Sequence, residues 1–386
     1  MPQSDSQDCA APDAEAEPVD PSSLRPVQRT AAYAVITDSD DRVLLVRASA
    51  RSDLRGRWYL PGGGLRHGEH PRDAALRELR EETGLRATRA TPREATADVV
   101  DLPHRGVSVH TLRLIYDVRF TDLTTADSGG RGRFKRDREA TLVLRSERDG
   151  TSDLARFVGP DEITGLPLMP FVAELLGLPE PEPLRPAPPE RPEPLAVEGE
   201  PEPRPVDPVL EALDGVEVVD RPKPAEVPIL VQRPAAYAVL IDETPARRKG
   251  KRMLLTRLAE SRMPGRKGTW TLPGGGIDHG EHPLVALERE VYEETGLPYT
   301  VGPLLDIGSR HFIGRAPSGR LEDFHGLRLV YAGSVPVDLT PEVTEVGGST
   351  DAAAWIPVGE LGRINTVSAV RESYATWSER RARSNP

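Results

Sequence analysis

The stretch that decides the reading runs from Gly62 to Leu85, GGGLRHGEHPRDAALRELREETGL. Nearly the same string returns from Gly274 to Leu297 as GGGIDHGEHPLVALEREVYEETGL. In the first string Pro71 suits the first helical position, where its missing N–H donor is not needed. Gly84 suits the left-handed residue that closes a helix. The 13 residues from Pro71 to Thr83 predict nearly four helical turns. Glu78, Glu81 and Glu82 fall at i, i+3 and i+4 and share one face, while Leu76 and Leu79 lie on an adjoining face that can be buried. Arg77 and Arg80 beside them allow the ordinary reading of a salt-bridged solvent face. Three like charges on one face repel, however, and the arrangement occurs twice. A divalent cation removes that repulsion. Hard oxygen ligands at this density suit Mg2+ or Mn2+, completed by water and substrate phosphate oxygens. The glycine run matches this purpose, because backbone without side chains approaches a phosphate or a metal closely.

The duplication extends well beyond these strings. VQRTAAYAV at Val27 recurs as VQRPAAYAV at Val231, an offset of 204. WYLPGGG at Trp58 answers to WTLPGGG at Trp270, offset 212, and HTLRLIY at His110 to HGLRLVY at His325, offset 215. Offsets that drift while the order of elements holds are those of a duplicated domain with unequal loops, and a solenoid repeat would have a far shorter period. Within each copy, short apolar or β-branched runs such as AAYAVITD and RVLLVRA, a helix after the glycine loop and a later strand predict a mixed sheet covered on both faces. The expected division is a disordered tail over 1–26, a first domain over 27–178, a Pro/Glu-rich linker over 179–228, a second domain over 229–378 and a C-terminal tail over 379–386. The linker, PEPEPLRPAPPERPEPLAVEGEPEPRPVDP from Pro179, favours extended backbone. About 30 such residues at ~3.1 Å each reach some 90 Å. That length permits the domains to act independently, or to fold back on one another as an intramolecular pseudo-dimer.

The spacing within each string resembles the Nudix box of the Nudix hydrolases: Gly, five residues, Glu, seven residues, then Arg-Glu-apolar-any-Glu-Glu-any-Gly-apolar. Gly63, Glu69, Arg77, Glu78, Leu79, Glu81, Glu82, Gly84 and Leu85 meet it in the first copy. Gly275, Glu281, Arg289, Glu290, Val291, Glu293, Glu294, Gly296 and Leu297 meet it in the second. The resemblance implies an α/β fold of two Nudix α/β/α sandwiches with mixed sheets, joined by the Pro-rich linker. It implies a metal-dependent pyrophosphohydrolase acting on a nucleoside diphosphate linked to another group: a nucleoside triphosphate, an oxidised nucleotide or a nucleotide sugar such as ADP-ribose. By the same resemblance Glu78, Glu81 and Glu82 hold Mg2+ or Mn2+ in one site, and Glu290, Glu293 and Glu294 in the other. The carbonyls of Gly63 and Gly275 complete the coordination, Arg77 and Arg289 orient the glutamates, and Glu69 and Glu281 support the loop and helix start. Glu78 and Glu290 are favoured as general bases. Asp153 and Asp351, each four residues before an aromatic, are additional candidate acids, although the family's usual acidic position falls one residue later, on Leu154 and Ala352. A turn-forming Asp is the competing reading.

Alternatives stay open at this stage. A Nudix-fold sensor or regulator would bind a nucleotide without cleaving it, although such proteins usually have degraded boxes. One domain could also be catalytic and the other a scaffold. Between Asp117 and Asp153 the first copy carries 17 residues that the second lacks, since the offset falls from 215 to 198. Much of this is the basic ADSGGRGRFKRDRE, read as a surface loop or, more sharply, as a lid over an anionic substrate centred on Gly129–Arg138.

Charge and cysteine content narrow the partners. A net charge of −11 over 386 residues argues against gripping polymeric nucleic acid or an anionic membrane. A small nucleotide stays compatible, because a bound cation supplies positive charge locally. Cys9 is the only cysteine, so there is no disulfide framework and no cysteine metal site. Without a signal-peptide pattern or a membrane-length apolar run, a cytoplasmic protein is expected.

Overall fold

A computed structural model of the chain describes residues 23–125, 150–187, 227–244, 250–259, 268–316, 318–345 and 347–384. The proposed lid and linker residues 188–226 lie outside the described residues, as does the tail through residue 22. In the first half β1 (Arg25–Val35), β2 (Val43–Ala48), β3 (Trp58–Tyr59) and β4 (Gly62–Gly64) lead into helix α1 (Pro71–Thr83). Strands β5 (Leu85–Arg86), β6 (Thr91–Leu102), β7 (Val107–Asp117), β8 (Thr124–Thr125) and β9 (Ser152–Val158) follow. Short helices α2 (Pro160–Ile163) and α3 (Pro170–Leu175) close this half. The second half repeats the plan with β10 (Ile229–Asp242), β11 (Arg252–Leu258), β12 (Trp270–Thr271), β13 (Gly274–Gly276) and helix α4 (Pro283–Thr295). It ends with β14 (Thr300–Arg315), β15 (Leu321–Ser334), β16 (Thr350–Pro357) and helix α5 (Ser368–Ser384).

Both halves share one core topology, to which the first adds a two-stranded sheet of β5 and β8. Strands β4-β1-β7-β6 form a mixed sheet in which only the β1–β7 pair is parallel, and β3-β2-β9 form an antiparallel sheet beside it. In the second half the corresponding sheets join into seven strands, because β10 runs on far enough to pair Ile241 with Met253 of β11. In the first half that junction is a single bridge from Thr37 to Val43.

Alternation along the strands sends successive side chains to opposite faces. Leu112, Leu114 and Tyr116 of β7 bury against Ala74 and Ala75 of α1, while Ile115 joins Tyr33, Phe171 and Val172 on the other side. In the second half Ala286, Leu287 and Val291 of α4 pack on Ala236 and Ala238. Val239 and Val330 meet Val370 of α5 on the opposite face. The expected sheet covered on both faces is therefore present twice.

The halves touch. One apolar cluster runs from Leu114 and Tyr116 into Leu304 and Ile307 of β14. Gln28 Nε2 donates to the Ile277 carbonyl at 3.4 Å, and the Gly68 N–H donates to His325 Nδ1 at 3.2 Å. The imidazoles of His67 and His325 lie 5.6 Å apart and those of His279 and His110 lie 5.5 Å apart. His67 answers to His279 and His110 to His325 in the repeat, so the two contacts exchange equivalent positions.

Two edges differ from the sequence expectation. Helix α5 continues through residue 384 instead of giving way to a tail at 379, and Arg380 Nη1 ties it to the Leu304 carbonyl at 2.8 Å. Residues 179–187 follow the first half closely: Arg57 Nη2 donates to Pro183 O at 2.8 Å, and the Ala187 N–H to Asp53 O at 3.0 Å. Among the described residues no helix is long and apolar enough to cross a membrane.

Candidate active sites

Each acidic helix is fixed at both ends by its own sequence. Pro71 occupies the first turn of α1, and Gly84 closes it at φ 70°, its N–H returning to the Arg80 carbonyl. The cap at the other end is one that sequence reading missed. His70 Nδ1 accepts the Arg72 N–H at 3.1 Å, and His282 Nδ1 accepts the Leu284 N–H at 3.2 Å. The available signal was the residue directly before each proline. Caps of this kind satisfy a donor the helix itself leaves unpaired.

The glycine strands lie across the helices at close quarters. Gly62 sits at φ 157° against Ala32 and Tyr33 of β1, where a Cβ would meet backbone. Gly63 faces α1, and a Cβ there would stand 2.8 Å from the Glu78 carboxyl carbon. Gly275 abuts the Glu290 carboxylate in the same manner. The glycines are thus required so that loop backbone and carboxylate occupy one small space.

Arginine organises one side of each cluster. Arg77 donates to Glu69 from Nε at 2.8 Å and from Nη2 at 2.9 Å, and reaches Glu78 at 2.6 Å, Glu81 at 3.0 Å and the Gly64 carbonyl at 3.1 Å. Arg289 repeats this with Glu281 at 2.9 Å from both nitrogens, Glu290 at 2.9 Å, Glu293 at 3.2 Å and the Gly276 carbonyl at 3.1 Å. A planar guanidinium suits such forked contacts. Glu69 also accepts the Arg66 N–H, and Glu281 the Asp278 N–H, so each closes the loop ahead of its helix.

The third acid faces inward. Glu82 accepts the Gly62 N–H at 2.9 Å and the Tyr59 hydroxyl at 3.1 Å, with a further hydrogen bond to the Ser152 side chain. Burial pushes its carboxyl up to about 8; the Gly62 N–H pulls the other way, and the Glu78 charge adds to the rise. Glu294 accepts the Gly274 N–H at 2.9 Å, the Thr256 hydroxyl at 3.2 Å and the Thr350 hydroxyl, and burial carries it to about 7. Burial likewise raises Glu78 and Glu290, against the pull of Arg77 and Arg289.

These donor sets fit a divalent cation. The donors to Glu82 and Glu294 are all neutral, each carboxylate oxygen keeps lone-pair capacity, and a second, half-buried acid, Glu78 or Glu290, stands beside each. The charge that burial and crowding disfavour is the charge a cation would stabilise.

Tyr59, Ser152, Thr256 and Thr350 were not singled out from sequence, and they show how the two sites differ. Val46 pairs with Tyr59 across β2 and β3, and Thr256 pairs with Thr271 across β11 and β12. The hydroxyl serving the inner glutamate has moved to the other strand of the pair. Asp153 and Asp351, by contrast, make exposed ion pairs with Arg47 at 2.8 Å and Arg257 at 2.7 Å. Ser152 and Thr350, one residue earlier, are the ones that turn inward.

The NUDIX domain matches residues 27–170 and 231–377, and the chain belongs to the Nudix hydrolase family, with two domains in tandem. The 8-oxo-dGTP diphosphatase of Proteus vulgaris is 36% identical over 78 residues, 20% of this chain and 68% of its own. The RNA pyrophosphohydrolase of Mesorhizobium japonicum is 56% identical over 43 residues, 11% of this chain and 25% of its own. Among solved structures, the MutT NUDIX hydrolase of Burkholderia pseudomallei is 25% identical, with a TM-score of 0.28 over 38% of this chain and 98% of that one.

Proposed function

We propose that the chain hydrolyses a phosphoanhydride bond in a small nucleotide at two sites, one on each acidic helix, and that Mg2+ or Mn2+ is required. The carrying observation is that both helices present the same arginine-centred network around a complete set of acids. A sensor that had abandoned chemistry would have no need of this set twice. The names of the relatives, a diphosphatase of 8-oxo-dGTP and a pyrophosphohydrolase of RNA, support a substrate carrying such an anhydride.

Glu78, Glu81, Glu82 and the Gly63 carbonyl would hold the cation in the first site, and Glu290, Glu293, Glu294 and the Gly275 carbonyl in the second. When bound, it supplies charge neutralisation on the phosphate oxygens and a lower pKa for water. Glu78 and Glu290, raised by burial, are the proton acceptors for the attacking water. Arg77 and Arg289 hold those carboxylates in orientation. Water adds to one phosphorus, the bridging P–O bond breaks, and its electron pair leaves on the departing phosphate oxygen.

The domains work as an intramolecular pseudo-dimer. The exchanged contacts, His67 with His325 and His279 with His110, support a two-fold relation, in which a contact from i to j implies one from j to i. Turnover of a panel of nucleoside triphosphates, oxidised nucleotides and nucleotide sugars by the full chain, with products identified, tests the assignment. Release of a nucleoside monophosphate or its counterpart supports it, and nucleotide binding without turnover in excess Mg2+ would contradict it.

A further inference from the structure

The two domain junctions are equivalent by position and unequal in chemistry. At the first, His67 from the loop between β4 and α1 enters the second domain beside His311 of β14 and Asp323 of β15. Asp323 and His325 share one face of β15, two residues apart, and His311 stands directly opposite His325. His67 Nε2 lies 3.0 Å from Asp323 Oδ1, and His311 Nε2 converges on the same oxygen. The three candidate ligand atoms all lie within 4.8 Å of one another. The His67 and His311 rings meet edge to face at 5.1 Å.

The other junction supplies an internal control. His279 meets His110 there as His67 meets His325. Val99 pairs with His110 as His311 pairs with His325, and Ser108 precedes His110 as Asp323 precedes His325. Joining the domains therefore requires neither a histidine at the first of these positions nor an acid at the second. Packing is also tighter where they occur. A Cβ on Gly68 would stand 2.8 Å from His311 Nδ1, whereas one on Gly280 would stand 3.9 Å from Val99 Cγ2.

We propose that His67, His311 and Asp323 form a transition-metal site, for Zn2+ or a similar borderline cation, that clamps the two domains together. His67 lies inside the first Nudix box, between Gly63 and Glu69, but none of the three ligands is a box acid, and the site does not depend on the boxes' activity. Two imidazole nitrogens and one carboxylate oxygen are a Zn2+ donor set that keeps a fourth position for water, whereas Mg2+ prefers all-oxygen surroundings. Zn2+ bonds of about 2.0–2.1 Å set tetrahedral ligand atoms roughly 3.3 Å apart, so ligand atoms already within 4.8 Å of one another need only a modest rearrangement. Support for the ligands is already built. His325 accepts the Gly68 N–H at Nδ1 and faces Ser309 Oγ from Nε2 at 2.8 Å, pinning the loop that carries His67 to the second domain.

The test uses the full-length chain, freed of metal and titrated with Co2+ in excess Mg2+, which keeps the carboxylate boxes filled. One equivalent of Co2+ should give visible ligand-field bands of low-coordinate, histidine-bound cobalt, and Zn2+ should bleach them. The double variant His311→Val with Asp323→Ser installs the residues of the other junction. It should keep the fold, lose those bands and bind Zn2+ more than ~100-fold more weakly. Zn2+ should raise the Tm of the parent and leave that of the variant unchanged. A parent with no saturable Co2+ spectrum, or a folded variant that matches the parent in spectrum and Zn2+ affinity, would overturn the site. If the variant fails to fold, the parent titration decides alone.

Discussion

Glu82 Oε2 accepts the backbone N–H of Gly62 at 2.9 Å, and this bond joins the end of each acidic helix to the start of its glycine strand, since Glu294 and Gly274 repeat it at the same distance. Replacing Glu82 with Ala would strand the Gly62 N–H and the Tyr59 hydroxyl. Buried donors left unpaired cost about 1–3 kcal/mol each. Urea unfolding should accordingly show Glu82→Ala less stable by about 2–6 kcal/mol for that pair of donors. Glu82→Gln, which still offers an acceptor, should recover most of the loss while remaining inactive at its site. Equal stability for all three proteins would contradict the proposed linkage.

Gly63→Ala probes the close approach of loop to carboxylate. The added Cβ would stand 2.8 Å from the Glu78 carboxyl carbon, so the side chain must move. We expect kcat of the first site to fall at least ~100-fold with little change in far-UV circular dichroism, since small misplacements at a reacting centre cost that much. Unaltered kcat would show that Glu78 needs no such constraint.

Chelation should stop hydrolysis, and added Mg2+ or Mn2+ should restore it, because the inner acids of the two boxes, Glu82 and Glu294, are buried with charges that a cation would favour. Hydrolysis that persisted after exhaustive removal of divalent ions would contradict the reading of both helices.

How far the sequence led can be judged from particular residues. Pro71 and Gly84 marked the ends of α1 because both act through local backbone geometry, and the i, i+3, i+4 acids converged because helix spacing alone arranges them. The donors to the inner glutamates were not legible. Ser152 and Thr350 reach them from strands 70 and 56 residues away in sequence, so only tertiary pairing brings them in. The Tyr59 hydroxyl of one site and the Thr256 hydroxyl of the other arise on opposite strands of a ladder, which no repeat alignment would equate. The meeting of His67 with Asp323 depends on how two domains dock, and no local pattern encodes that.

Asp242 gives a pH test away from the boxes. It accepts hydrogen bonds from the Thr244 N–H at 2.9 Å and from Arg252 Nη2 at 2.6 Å. Burial would raise its pKa, but the Thr244 and Arg252 donors outweigh it and hold the group at about 2, below its ordinary 3.8. The folded state then binds fewer protons than the unfolded state between those values. This stabilisation is full above the ordinary value and is lost as pH falls through about 2. The Tm difference between the parent and Asp242→Asn should be constant near neutrality and should narrow in that acid window. A difference independent of pH throughout would refute the assignment.

The central claim is that the chain carries two working Nudix sites, and paired glutamate substitutions address it most directly. Glu78→Gln and Glu290→Gln are nearly isosteric, so they remove charge and proton acceptance with little effect on packing. Loss of a general base lowers a site's rate by about 10²–10⁴-fold. Turnover should be measured for both single variants and the double variant on the best substrates found. The account predicts that each single variant loses one site's share, or one substrate where the sites have diverged, and that the double variant loses nearly all turnover. A single substitution that abolished every activity would contradict it, because one site would then carry all the chemistry.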